Sequence, residues 1–172
     1  MIRRELVWVE HAGCLLDTHH HTIVETAEPN LGVGMQRLQG GHSRWLNARH
    51  RCKGQVFRHR FWSRRIEDDG WLLRACIYVA VNPVAAGVCS HPRDFRWCTY
   101  DATAHGDPDR YTAGEERLLG LFGDSPREAR ARYAEVVDEA VELIRDRRLA
   151  DRRSVWEALH RFEQLRVRHV SG

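Results

Sequence analysis

The stretch GCLLDTHHHTIVET, Gly13 to Thr26, joins two apolar ends through three consecutive histidines. Its β-branched run after His21 predicts a strand with a polar middle. An engineered tag carries more histidines, sits at a terminus and is not followed by a strand-like run. His19, His20 and His21 therefore belong to the protein. In a strand, residues i and i+2 share a face. His19 and His21 then point together, and His20 points the other way. Two imidazoles on adjacent same-face positions make a bidentate platform for a metal ion. A pair of solvated polar histidines gives the same pattern, so H-x-H alone leaves both readings open.

Working outward, residues 1–12 have the pattern of the end of an amphipathic helix. After the histidine strand, AEPN is a turn, and Asn30 is placed to cap a helix from about Leu31 to Arg49. Leu31, Met35, Leu38, His42, Trp45 and Leu46 fall near one face of it. Gly40 and Gly41 in its middle predict a bend or close packing. RHRCKG is a basic turn. QVFRHRFWSRRIE, residues 55–67, alternates apolar and basic residues and predicts a strand with arginines on its solvent face. EDDGWLLRACIYVAVNPVAAG opens with acids suited to a helix N-terminus. It runs apolar from Trp71 and is expected to stop at Asn82, because the residue before a proline avoids the helical region. A loop-rich connection follows, and a domain break is expected near residues 104–114. Ser125-Pro126-Arg127-Glu128 has the layout of a capping box with proline at the first helical position. Ser154 and Glu157 repeat that spacing.

Composition narrows the class. The chain has 172 residues, 42% hydrophobic and 30% charged, as in soluble globular proteins. No apolar run approaches the length of a membrane span, and the N-terminus is too charged for a secretory leader. The cytoplasm is the expected location. The five cysteines are scattered and odd in number and form no C-x-x-C, so neither a zinc knuckle nor a disulfide framework is expected. The net charge of +3 hides an asymmetry. From Leu31 to Arg65 there are eight arginines, one lysine and no acid, a charge of +9. The remainder carries 18 basic and 24 acidic residues. Clustered arginines gain most from phosphate, so nucleic acid is the favoured partner. An arginine-rich face answering the chain's own acidic part is the competing reading.

Tyr78 and Asn82 are four apart and share a helix face. Taken singly, a helical tyrosine is usually a core aromatic, and an asparagine before proline usually ends its helix. Together with His19, His21 and the basic block, however, they bring the sequence close to a known family. The order H-x-H, EPNLGVGMQRL, NARH, GQVFRHRF, EDD and YVAVNPVAAGV resembles the REP-associated tyrosine transposases of the single-tyrosine HUH endonuclease superfamily. The likeness runs from about Cys14 to Tyr100. RLLGLFGDSPREARARYAEVV is similar to the family's C-terminal segment.

The resemblance implies an α+β fold. A ferredoxin-like HUH core would occupy residues 1–104, with an antiparallel sheet and flanking helices. A helical C-terminal extension would occupy 105–172. It implies that His19 and His21 are metal ligands with Asn82 as the third, and that Tyr78 is the catalytic nucleophile. The implied metal is Mg2+ or Mn2+. The implied reaction cleaves and rejoins single-stranded or hairpin DNA of repetitive extragenic palindromes, through a 5′-phosphotyrosine. Arg37, Arg44, Arg49, Arg51, Lys53, Arg58, Arg60, Arg64 and Arg65 are the expected DNA-binding residues, and Trp45, Phe57, Phe61 or Trp62 are candidates to stack unpaired bases. A monomer is implied, with dimerisation open. The sequence departs from the family at His20, where a bulky apolar residue is usual, and at Asp17-Thr18, where Pro-Asn is usual. The family's first strand is expected to be missing beside the histidine strand, which would open an edge. The alternative function is a truncated, catalytically inactive DNA-binding relic of such a transposase.

Overall fold

A computed structural model describes residues 5–106, 114–147, 155–157 and 159. It is α+β, with a two-stranded antiparallel sheet and several helices. The elements are β1 (Trp8–Leu15), β2 (His20–Thr26), α1 (Leu31–His50), α2 (Asp69–Ala85), a 3-10 turn (Pro92–Asp94), α3 (Tyr100–His105), α4 (Glu115–Gly120) and α5 (Pro126–Arg147). They form two compact units. One comprises the described residues up to Val9 together with Glu25–Arg65. The other comprises Glu10–Val24 and the described residues from Ile66 onward.

The single strand expected over Gly13–Thr26 is in fact a hairpin. Leu16 N–H donates to the His19 carbonyl at 2.9 Å, closing a turn at Asp17-Thr18. Residues 8–12, expected as a helix end, belong to β1; among the described residues before it, Glu5 and Leu6 are helical. The alternation that specifies a strand is read correctly on both sides, but the polar Asp17-Thr18 pair turns the chain instead of continuing it. β2 therefore has β1 as a neighbour, and among the described residues no strand pairs with its other edge. The outer edge of β1 meets Trp97–Thr99. Leu15 N–H bonds the Trp97 carbonyl and Thr99 N–H bonds the Gly13 carbonyl, both at 2.9 Å, around an antiparallel backbone pairing of Cys14 with Cys98, whose thiols are free.

In the first unit, α1 covers the expected range and runs unbroken through Gly40-Gly41. The close packing expected at those glycines occurs instead at Gly34. A Cβ there would overlap the Trp8 indole and come within 2.7 Å of Leu6 Cδ1. Trp8 is held in place because its Nε1–H donates to Asn30 Oδ1 at 2.6 Å. Asn30 is the N-cap residue, but its side chain serves Trp8 and the Leu6 carbonyl rather than the helix amides. Of the residues that fall near one face of α1, Met35 is buried, while Leu38, His42 and Trp45 are exposed. The strand expected over residues 55–67 is likewise not formed; the segment is irregular. Apolar–basic alternation fixes a strand only where a neighbouring strand takes up its backbone groups.

In the second unit, α2 is the central buried element, with Leu72 and every residue from Ala75 to Pro83 buried. It packs against α5, as do α3 and α4. Asp68 caps α2, its carboxylate accepting from Trp71 N–H at 2.6 Å. Contrary to expectation, α2 passes through Pro83 to Ala85. Proline supplies no N–H to the carbonyl four residues back, here that of Val79. Cys98 Sγ sits 4.0 Å from that oxygen and 3.8 Å from the Ala80 oxygen, so a weak thiol donor takes the missing place. The Cys14 thiol is pushed up by its hydrogen bond to Cys98 and by burial. These two cysteines are thus neighbours, not scattered. At the start of α5, Ser125 Oγ accepts from Glu128 N–H at 3.5 Å, forming half of the expected box. Ser154 lies outside the described residues, as does most of the expected break at 104–114. The described part of the expected helical extension packs in the same compact unit as α2.

Candidate active site

His19 and His21 flank the start of β2, where the hairpin delivers both to one side. Their ring centres are 5.0 Å apart, with planes at 89°. His21 in turn meets the Tyr78 ring edge-on, at 5.4 Å. The two expected ligands and the expected nucleophile are therefore contiguous, on elements separated by more than 50 positions of sequence. His20 opens β2 half-buried. Asn82 lies one helical turn beyond Tyr78 and is 5% exposed. Tyr78 itself is 9% exposed, and the Trp156 ring meets it edge-on at 5.7 Å.

Thr18 Oγ1 lies 3.0 Å from His19 Nδ1. In the tautomer with the proton on Nδ1, that proton is donated to Thr18 and Nε2 is left as a lone-pair donor, which is how a ligating histidine is normally oriented. The donor chemistry suits a divalent ion, because two neutral imidazoles and an amide oxygen would leave its charge undiminished. Imidazole suits first-row transition ions better than Mg2+, so Mn2+ matches these donors better than Mg2+. Among the described residues there is no group of three or more His, Cys, Asp or Glu side chains able to hold a metal. A site with the expected ligands would consist of His19, His21 and Asn82.

The expected DNA-binding residues all belong to the other unit. Arg37, Arg44 and Arg49 project from α1, and Arg51, Lys53, Arg58, Arg60, Arg64 and Arg65 from the segment that follows. All nine are exposed. Arg37 pairs with Glu5 at 3.7 Å, and Arg60 lies 5.5 Å over the Phe61 ring. A groove of about 500 Å³ runs between α1 and this segment, lined by Gly32, Val33, Gln36, Gln39, Arg60 and Phe61.

Two contributors escape sequence reasoning. Trp156 lies 78 positions beyond Tyr78, and no spacing links them. Thr18 falls in the polar middle of the expected strand, and only the hairpin turns it toward His19. No family model, no curated protein and no solved structure matches this chain. Among the described residues no helix is long and apolar enough to cross a membrane.

Proposed function

We propose that this chain is a tyrosine DNA strand transferase with the HUH arrangement in a ferredoxin-like core, acting on single-stranded or hairpin DNA. The observation that carries this reading is the unbroken row of rings His19–His21–Tyr78, which puts a two-histidine platform against a phenol. Phenols ionise at about pH 10, so a tyrosine nucleophile needs help to attack a phosphodiester. A divalent ion on His19, His21 and Asn82 would supply charge to a non-bridging phosphate oxygen and to the leaving oxygen. Tyr78 Oη forms the new bond to phosphorus and loses its proton. The bond from phosphorus to the 3′ oxygen breaks, and that oxygen leaves as a 3′-OH. The product is a 5′-phosphotyrosine, whose ester energy is retained, so an incoming 3′-OH reverses the step without ATP. The nine exposed cations are the proposed grip on the DNA backbone.

The test is incubation of the chain with a labelled hairpin oligonucleotide, with and without Mn2+. The expected result is a covalent protein–DNA adduct that needs the ion and is lost in Tyr78→Phe. An adduct undiminished in that variant removes Tyr78 from the role. A second reading, a DNA-binding relic without cleavage, is favoured by the burial of Tyr78, whose ring meets both His21 and Trp156. It predicts steeply salt-dependent DNA binding and no adduct under any metal.

A further inference from the structure

We infer that α1 carries a stacking platform for unpaired nucleobases, formed by His42, Trp45 and Arg49 with Phe57 at one end; this rests on the nucleic-acid part of the reading above. Positions 42, 45 and 49 share one helix face. Their groups form a continuous row. Phe57 lies 6.0 Å from His42, His42 lies 5.8 Å from Trp45 at a tilt of 35°, and the Arg49 guanidinium sits 5.7 Å from the centre of the Trp45 ring. Trp45 is 56% exposed. A tryptophan is an expensive side chain to leave in water, and here it has been given aromatic and cationic neighbours that keep its plane oriented without covering it.

The surroundings decide the kind of partner. No acidic residue occurs between Leu31 and Arg65, and nine exposed cations do. The complementary ligand is therefore a polyanion that also offers flat π surfaces. A single strand does both, since its bases are free to stack on tryptophan and guanidinium planes while its phosphates track the arginines. A duplex keeps its base faces covered. An acidic protein segment offers charge without a regular series of faces.

The platform is tested on the full-length chain in EDTA, so that no metal-dependent step contributes. Fluorescence anisotropy measures binding of a labelled oligothymidylate, of an abasic oligomer of the same length, and of duplex DNA. Trp45→Ala is expected to weaken the oligothymidylate between about 5- and 100-fold. Its binding to the abasic oligomer should stay within about twofold of the parent protein. Trp45→Tyr should recover most of the loss. Trp97→Ala removes a tryptophan of like exposure, 55%, outside the basic block, and should have little effect. Arg58→Ala should lower the salt dependence by about one phosphate contact on every ligand. Equal affinity of Trp45→Ala and parent for oligothymidylate, or an equal loss on the abasic oligomer, overturns the platform. So does tighter binding of duplex than of single strand. Binding in EDTA with these properties, together with no adduct in Mn2+, supports the platform while rejecting strand transfer. An adduct with no effect of Trp45→Ala does the reverse.

Discussion

Two glycines of α1 give the sharpest check on the packing described above, because one substitution is expected to have opposite signs at the two positions. At Gly41 a Cβ meets nothing within 4 Å. Alanine there should gain only the helix preference over glycine, about 0.5–1 kcal/mol. At Gly34 the same gain is available, but the new Cβ would overlap the Trp8 indole and crowd Leu6. Trp8 is 7% exposed and fixed by the 2.6 Å bond to Asn30, so its ring is not a flexible end that swings aside. Overpacking of this kind costs about 1–3 kcal/mol. Losing the indole hydrogen bond adds roughly 0.5–1.5 kcal/mol. Gly34→Ala is therefore expected to destabilise by about 1–3 kcal/mol net, and Gly41→Ala to stabilise. Urea unfolding followed by circular dichroism gives the global change. Hydrogen exchange of the α1 amides reports the helix locally, which matters because the two compact units need not unfold together. Gly34→Ala as stable as the parent, or both variants shifting in the same direction, would refute the seating of Trp8 against α1.

Four further outcomes are expected. Tyr78→Phe keeps the ring contacts to His21 and Trp156, so its unfolding free energy should change by less than about 1 kcal/mol, whereas Tyr78→Ala should lose about 3–5 kcal/mol by cavity formation; a large loss in the phenylalanine variant would mean the hydroxyl is structural. Cys98→Ala removes the thiol facing the Val79 and Ala80 carbonyls beside Pro83, and should cost about 1–2 kcal/mol in denaturant unfolding, with Cys98→Ser recovering part. Burial pushes the Cys76 thiol from 9.0 to about 12, and burial with the nearby Asp138 carboxylate pushes the Tyr100 phenol from 10.0 to about 12; Tyr133 is raised by burial too. The folded chain thus keeps protons that the unfolded chain has lost, so this stability is complete below about pH 9 and disappears as pH rises through about 12. Unfolding midpoints that do not fall between pH 8 and pH 11 would contradict that. Val7 has a φ of 55°, which a β-branched residue tolerates poorly. Val7→Gly should therefore raise the unfolding midpoint by relieving roughly 1 kcal/mol of strain, and a lower midpoint would count against it.

What the sequence settled by itself is local. Alternation paired His19 with His21, the 3.6-residue period put Tyr78 and Asn82 on one face, and the absence of any acid from Leu31 to Arg65 fixed a basic surface wherever that segment lies. The helix over Leu31–His50 and the acid-capped start of α2 also follow from side chains a few positions apart. What the sequence missed depends on partners distant in the chain. The turn at Asp17-Thr18 needed β1 as a neighbour to become a hairpin. The basic alternation after Gly54 found no strand to pair with and stayed irregular. Pro83 remains inside α2, where Cys98, brought across by its backbone pairing with Cys14, approaches the carbonyl that proline leaves without a donor. The contact of His21 with Tyr78, and that of Trp156 with the same ring, are likewise products of tertiary packing. Side-chain spacing encodes which residues share a face, but which faces meet is set by burial and by where unsatisfied backbone groups find partners.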